Sequence, residues 1–304
     1  MGKLLLTSSF SFPIFIPALL KLDSLRSTPA SLQLTHKSHI GCLRSAGSRA
    51  SVQEKISQHT IRPEEEETET DTQRSVKSTA EGTFLVQHEE SNQVAFMRVY
   101  IQVPRGGTEF EDPDDRGLQA SQCTTPEVKA LKTLAEHHAS FVPSLLAVKE
   151  DIQDQDGYVP GGYVVYLLFE KVHGTRIIDA RLGPSRIMEQ NGFLRQFPLD
   201  ERDEIRAQFT NASTELVQID IVPMDPDSDH LIWDPERSKL YFVDFRRACS
   251  MHWLDKDQPT VARSRRKKTL ESNWLRNACA WSEFGLAISP ANPRDEHDPS
   301  KWQL

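Results

Sequence analysis

Residues 230–248 read HLIWDPERSKLYFVDFRRA. Two short apolar runs flank a turn of proline and charged residues, and the second run leads into a carboxylate, Asp244, followed by two arginines. The pattern predicts a β-hairpin, HLIWD against LYFVDF across PERSK. A carboxylate at the exit of an apolar strand has two readings. It can be turn chemistry, or it can be a metal-binding group at the mouth of a nucleotide site.

The segments before the hairpin follow a definite order. GTFLVQHEESNQVAFMRVYIQVP holds two β-rich runs about the polar turn EESN. PRGGTEFEDPDDRG is a Gly/Pro/Asp loop. TTPEVKALKTLAEHH predicts a helix: Thr124 or Thr125 caps it, Pro126 suits its first turn, and Val128, Leu131, Leu134 and Ala135 share a face. SLLAVKE and GGYVVYLLFEKV predict two more strands, the second apolar enough for a buried position. In LDERDEIRAQFTNASTELVQI, Ile205, Phe209, Ala212 and Leu216 recur at i, i+4, i+7 and i+11, with Asp200 as the expected cap. RRKKTLESNWLRNACAWSEFGLAI also reads as helical, and no internal repeat is present.

Composition sets the outer limits. Of 304 residues 38% are hydrophobic, below the globular norm, which implies a folded domain diluted by polar sequence. The net charge of -8 argues against a nucleic-acid partner, since phosphate recognition is led by Lys and Arg. Cys42, Cys123, Cys249 and Cys279 lack the spacing of a zinc site or a disulfide framework, so a reducing compartment is favoured. Residues 1–50 are rich in Ser and Leu and carry Lys3, Lys21, Arg26, Lys37, Arg44 and Arg49 against the single acid Asp23. They read as a targeting segment, mitochondrial by composition, or else as a disordered arm. The alternative locations are cytoplasmic or nuclear; RSRRKK at 263–268 reads either as a nuclear signal or as a solvated helix start. The run LLLTSSFSFPIFIPALL is broken by Ser and two prolines, so no transmembrane segment is expected. Residues 51–77 include the like-charged tract EEEETETD and read as an acidic disordered linker. The folded domain is placed at 78–304, with a division near 171/172.

The order hairpin, helix, two strands, long helix, loop, hairpin and carboxylate resembles the protein-kinase-like superfamily, including its aminoglycoside-phosphotransferase-type members. The resemblance covers roughly residues 80–250 and rests on four stations. VAFMRVY resembles the third kinase strand, where a Lys holds the α- and β-phosphates of ATP; Arg98 stands at that position. PEVKALKTL has the spacing of the helix that presents the ion-pair glutamate, which implies that role for Glu127. MDPDSDHLIW resembles the catalytic loop, with Asp225 as the catalytic Asp and His230, five residues on, at the metal-binding Asn. VDF resembles the Asp-Phe-Gly strand end, which implies that Asp244 is the magnesium carboxylate and that Arg246 replaces the glycine. Gly82, in GTF, resembles one glycine of the phosphate-covering loop, although Ala80 and Leu85 stand where its other glycines would be.

The resemblance implies an α+β, two-lobed protein-kinase-like fold with a truncated C-lobe, since the sixty residues after Asp244 hold no Ala-Pro-Glu segment. ATP and magnesium are the implied cofactors, and the departures weaken the case for both. Guanidinium for ammonium is not conservative at a phosphate clamp. Imidazole is a soft ligand where magnesium prefers oxygen. Arg246 can pair with Asp244 in place of the metal. The sequence therefore points first to a degenerate kinase-like protein, a pseudokinase that binds or regulates a protein partner. The alternatives are an unconventional ATP-dependent phosphotransferase acting on a protein or small molecule, and a non-enzymatic α+β interaction protein.

Overall fold

The alternation in VAFMRVYIQ builds the centre of a sheet. In the computed structural model, which describes residues 43–45, 48–61, 78–89, 91–122, 125–177, 197–223, 230–250 and 273–304, this stretch is strand β4 (Val94–Gln102). Ala95, Met97, Val99 and Ile101 fall on one face and join Ala80, Phe84 and Val86 in a single buried cluster. Each of the larger of these side chains (Phe84, Val86, Met97, Val99 and Ile101) contributes about 1.5–3 kcal/mol by leaving water. β4 forms a hairpin with β3 (Thr79–His88), closed by the His88 N–H to the Gln93 carbonyl at 2.8 Å. Four further strands, β1 (Leu43–Ser45), β2 (Ser48–Ile61), β5 (Leu145–Ile152) and β6 (Tyr163–Glu170), complete an antiparallel sheet in the order β1-β2-β3-β4-β6-β5. The loop between β4 and β5 carries the short helix α1 (Pro113–Gly117) and then α2 (Pro126–Glu136), which Thr125 caps by accepting the Val128 N–H.

One expected boundary is corrected. Residues 51–61, read from sequence as solvated linker, continue β2 and pair with β3. The cause is tertiary: pairing with β3 seats Ala50 and Val52 on the sheet's buried cluster, while register shifts at Val52/Glu54 and Lys55/Ser57 break the period-two alternation that would have marked a strand. The sheet thus begins ahead of residue 78. Residues 62–77, the rest of the expected linker, lie outside the described residues, as do 1–42 with most of the expected targeting segment.

Two compact units are present. One ends at Thr124 and resumes over Leu145–Lys171; the other takes Thr125–Ser144 and continues from Val172. The expected division near 171/172 is therefore one of their boundaries, but α2 groups with the later residues rather than with the six-stranded sheet.

The second unit is built on the predicted long helix α3 (Leu199–Gln218), whose Ile205, Phe209, Ala212 and Leu216 are all buried. The residue at its N-cap is Pro198, not Asp200, which lies in the first turn where a carboxylate still favours the helix dipole. Phe209 lies 5.2 Å from the Phe242 ring and 4.9 Å from Phe284, which follows helix α4 (Asn273–Glu283). Strands β9 (Leu231–Asp234) and β10 (Lys239–Phe242) form the expected hairpin, with the two-residue β7 (Thr175–Arg176) alongside β9. Gln208 of α3 clamps that hairpin by donating to the Ser238 carbonyl and accepting from the Leu240 N–H. A further pair, β8 (Val222–Pro223) and β11 (Ala248–Cys249), closes beside α2. Cys249 and Cys279 are free thiols. No helix among the described residues is long and apolar enough to cross a membrane.

Two predictions follow from these contacts. Gly174 has φ +111°, and a Cβ there would lie 2.3 Å from the Trp233 carbonyl oxygen. Gly174→Ala should cost about 3 kcal/mol or more, whereas Gly161→Ala, left-handed but with only an ordinary contact, should cost about 1–2 kcal/mol. Urea unfolding curves of the two variants check the ranking.

The second concerns the hairpin turn. Asp234 accepts the Glu236 and Arg237 N–H groups and pairs with the Arg237 guanidinium at 2.7 Å. The Arg237 hydrogen bond is the main reason the Asp234 carboxyl titrates below the ordinary carboxylate range. A depressed pKa means that its stabilisation is present above the unfolded value, about 3.9, and is lost as pH falls through the lower folded value. Asp234→Asn should be less stable than wild type at neutral pH, and the two stability curves should converge below about pH 4. Thermal melts across that range give the answer.

Candidate functional site

Hairpin register sets the geometry around Asp244. Leu231 stands opposite Phe242, so the next pair outward is His230 and Val243, joined by the Val243 N–H to the His230 carbonyl at 2.8 Å. Asp244 is one residue beyond. The two expected metal residues are thereby brought together, with His230 Nε2 3.6 Å from Asp244 Oδ2. Asp244 has φ +72°, a left-handed conformation that Asp and Asn adopt more readily than other side-chain-bearing residues. Beyond it Phe245 is buried and anchors the chain before β11.

The carboxylate already has a cation. Arg246 Nε lies 2.8 Å from both Asp244 oxygens, and its Nη2 donates to Oδ2. The Arg246 backbone N–H adds a 3.1 Å bond to Oδ1, an Asx turn. Turn chemistry and charge pairing thus meet at one residue. The Asp244 side chain is 13% exposed and that of Arg246 33%. Magnesium binds carboxylate oxygens at about 2.1 Å in near-octahedral geometry. The Asp244 oxygens as placed do not fit that role, because the guanidinium covers both of them. Among the described residues no group of three or more His, Cys, Asp or Glu is arranged to hold a metal ion.

The remaining candidates fall elsewhere. Arg98 is 9% exposed on β4; its Nε donates to Thr83 Oγ1 at 3.0 Å, and its guanidinium lies 5.6 Å from the Phe169 ring centroid. Thr83 was not singled out from the sequence, although a hairpin centred on EESN places it directly opposite Arg98. Glu127 is 2% exposed in the first turn of α2, in the other unit from Arg98. Gly82, expected in a phosphate-covering loop, instead lies inside β3, paired with Gln58 on one side and Val99 on the other. A residue in the middle of a ladder cannot form the turn that such a loop requires. Asp225, the expected catalytic carboxylate, lies outside the described residues. A cavity of about 290 Å³ in the second unit is lined by α3, α4, Ile221, Val222, Pro223, Phe242 and Phe284, and none of the described candidate residues borders it.

The pairing makes a prediction about metal-free protein. Asp244→Asn keeps a residue that tolerates the left-handed backbone and removes only the charge. It should cost about 1–3 kcal/mol, between the exposed and buried limits for an ion pair. Asp244→Ala adds backbone strain of about 1–2 kcal/mol and should be worse. Chemical denaturation in the presence of a chelator measures both, and equal stability of all three proteins would contradict the pairing.

No protein-family model and no curated protein matches this sequence. Among solved structures the chain is similar to the kinase PK-1 of Cydia pomonella granulovirus, with 11% sequence identity and a TM-score of 0.35. The similarity covers 66% of this chain and 52% of the viral kinase, so the chain spans about half of that kinase's length.

Proposed function

We propose that this chain is a degenerate kinase-like protein, two-lobed with a shortened C-lobe, that binds or regulates a partner rather than transferring phosphate. The observation that carries this reading is the Arg246 guanidinium on both oxygens of Asp244. In a working kinase the equivalent carboxylate holds the magnesium that bridges the β- and γ-phosphates. Phosphoryl transfer depends on positioning and on neutralising charge as it develops. A fixed arginine neutralises the carboxylate permanently and leaves it nothing to offer a metal. Three further features support the reading: Arg98 at the lysine station, His230 at the asparagine station and a strand-bound Gly82. On this view Asp225 and Glu127 are inherited positions, and any nucleotide that binds does so without tight magnesium coordination.

Thermal-shift titration with ATP, with and without Mg²⁺ or Mn²⁺, tests the proposal on the full chain. The wild-type melting temperature should not rise further on adding metal to nucleotide, since only a ligand of the native state stabilises it. The triple variant Arg98→Lys, His230→Asn, Arg246→Gly should gain a metal-dependent shift while melting lower when nucleotide is absent. Tight Mg-ATP binding by wild type, with turnover that depends on Asp225, would instead establish the phosphotransferase alternative.

A further inference from the structure

Phe110 and Leu118 are the two most exposed large apolar side chains among the described residues, at 91% and 85%. Both lie on the loop between β4 and α2. Scattered apolar exposure is ordinary, but these two share one tightly closed loop. The Arg105 N–H donates to Gln119 Oε1 at 3.0 Å, and Gln119 Nε2 donates to Thr108 Oγ1 at 2.9 Å. Gln102 Nε2 holds the Gln119 carbonyl at 2.7 Å, and Gln102 Oε1 accepts the Ser121 N–H. Two glutamines, Gln102 and Gln119, therefore tie the two ends of the loop together. Phe110 is two residues past Thr108 and Leu118 is the residue before Gln119, so both flank that closure.

Water is a poor environment for two such side chains, and fixing the loop beforehand removes the ordering cost that would otherwise oppose docking. Between them run Glu111, Asp112, Asp114 and Asp115, all exposed. We propose that this loop is a docking surface for a basic protein segment carrying apolar anchors. The apolar contacts supply affinity, and the carboxylates select lysine and arginine and steer the approach. The net charge of -8 acts in the same direction. The proposal is independent of the Asp244 site.

The test uses the full chain and a fluorescein-labelled peptide of Lys-Arg pairs alternating with Leu. A control peptide carries Ser in place of every Leu. Fluorescence anisotropy should show saturable binding, weakened about tenfold for the Ser peptide and about tenfold by Phe110→Ser with Leu118→Ser. Replacing Glu111, Asp112, Asp114 and Asp115 by their amides should weaken binding and flatten its salt dependence. All these variants should respond to nucleotide as wild type does, which separates failure here from failure at Asp244. Equal binding by wild type and Phe110→Ser/Leu118→Ser, or no saturable binding at all, would overturn the proposal. Self-association of the wild type that the double substitution abolishes would also overturn it, by assigning the surface to a second copy of the chain.

Discussion

A carboxylate that is mostly out of water must be compensated where it stands, and at Asp244 the chain supplies the compensation from two residues away. The Asx turn aims the Arg246 backbone N–H and guanidinium at the same group, and the left-handed backbone at Asp244 permits that geometry. Hairpin pairing holds the unit in place, with Phe242 packed on Phe209 and its N–H bonded to the Phe141 carbonyl. The ion pair is a feature of the hairpin exit, set by the same register that brings His230 close. A metal at this position would have to displace a cation already tethered to the chain. An intramolecular ligand of this kind has a high effective concentration, which any metal ion would have to overcome.

Much of this arrangement was legible from the sequence wherever spacing fixes geometry. Turn length determines strand register, so EESN places Thr83 opposite Arg98. A turn of all five residues PERSK would set His230 opposite Asp244; Lys239 instead joins the strand, and the register moves by one residue to put His230 beside Val243. The 3.6-residue period in α3 identified Ile205, Phe209, Ala212 and Leu216 as its buried face. The pairing of Asp244 with Arg246 was expected from the cation placed two residues away; the Asx turn that aims it became visible only in the structure.

The rest was hidden for physical reasons. β2 is polar and bulged, so its alternation changes phase within a few residues, and its place in the sheet comes from pairing with β3 rather than from its own pattern. Gly82 carries no side chain to show whether it sits in a strand or a turn; only the ladder on both sides of it decides. The N-cap of α3 shows how capping signals give way to context, since Asp200 falls two residues inside the helix and Pro198 holds its boundary. The closed loop around Phe110 depends on glutamine hydrogen bonds between positions far apart in sequence, which no local motif reveals.

Whether Arg246 truly stands in for a metal is decided by the energy that couples it to Asp244. A double-mutant cycle of Asp244→Asn and Arg246→Gln, measured by chemical denaturation with a chelator present, isolates that term. A coupling of about 1–3 kcal/mol is the predicted result, with Arg246→Gln alone destabilising the metal-free protein. Additive effects, with coupling near zero, would contradict it.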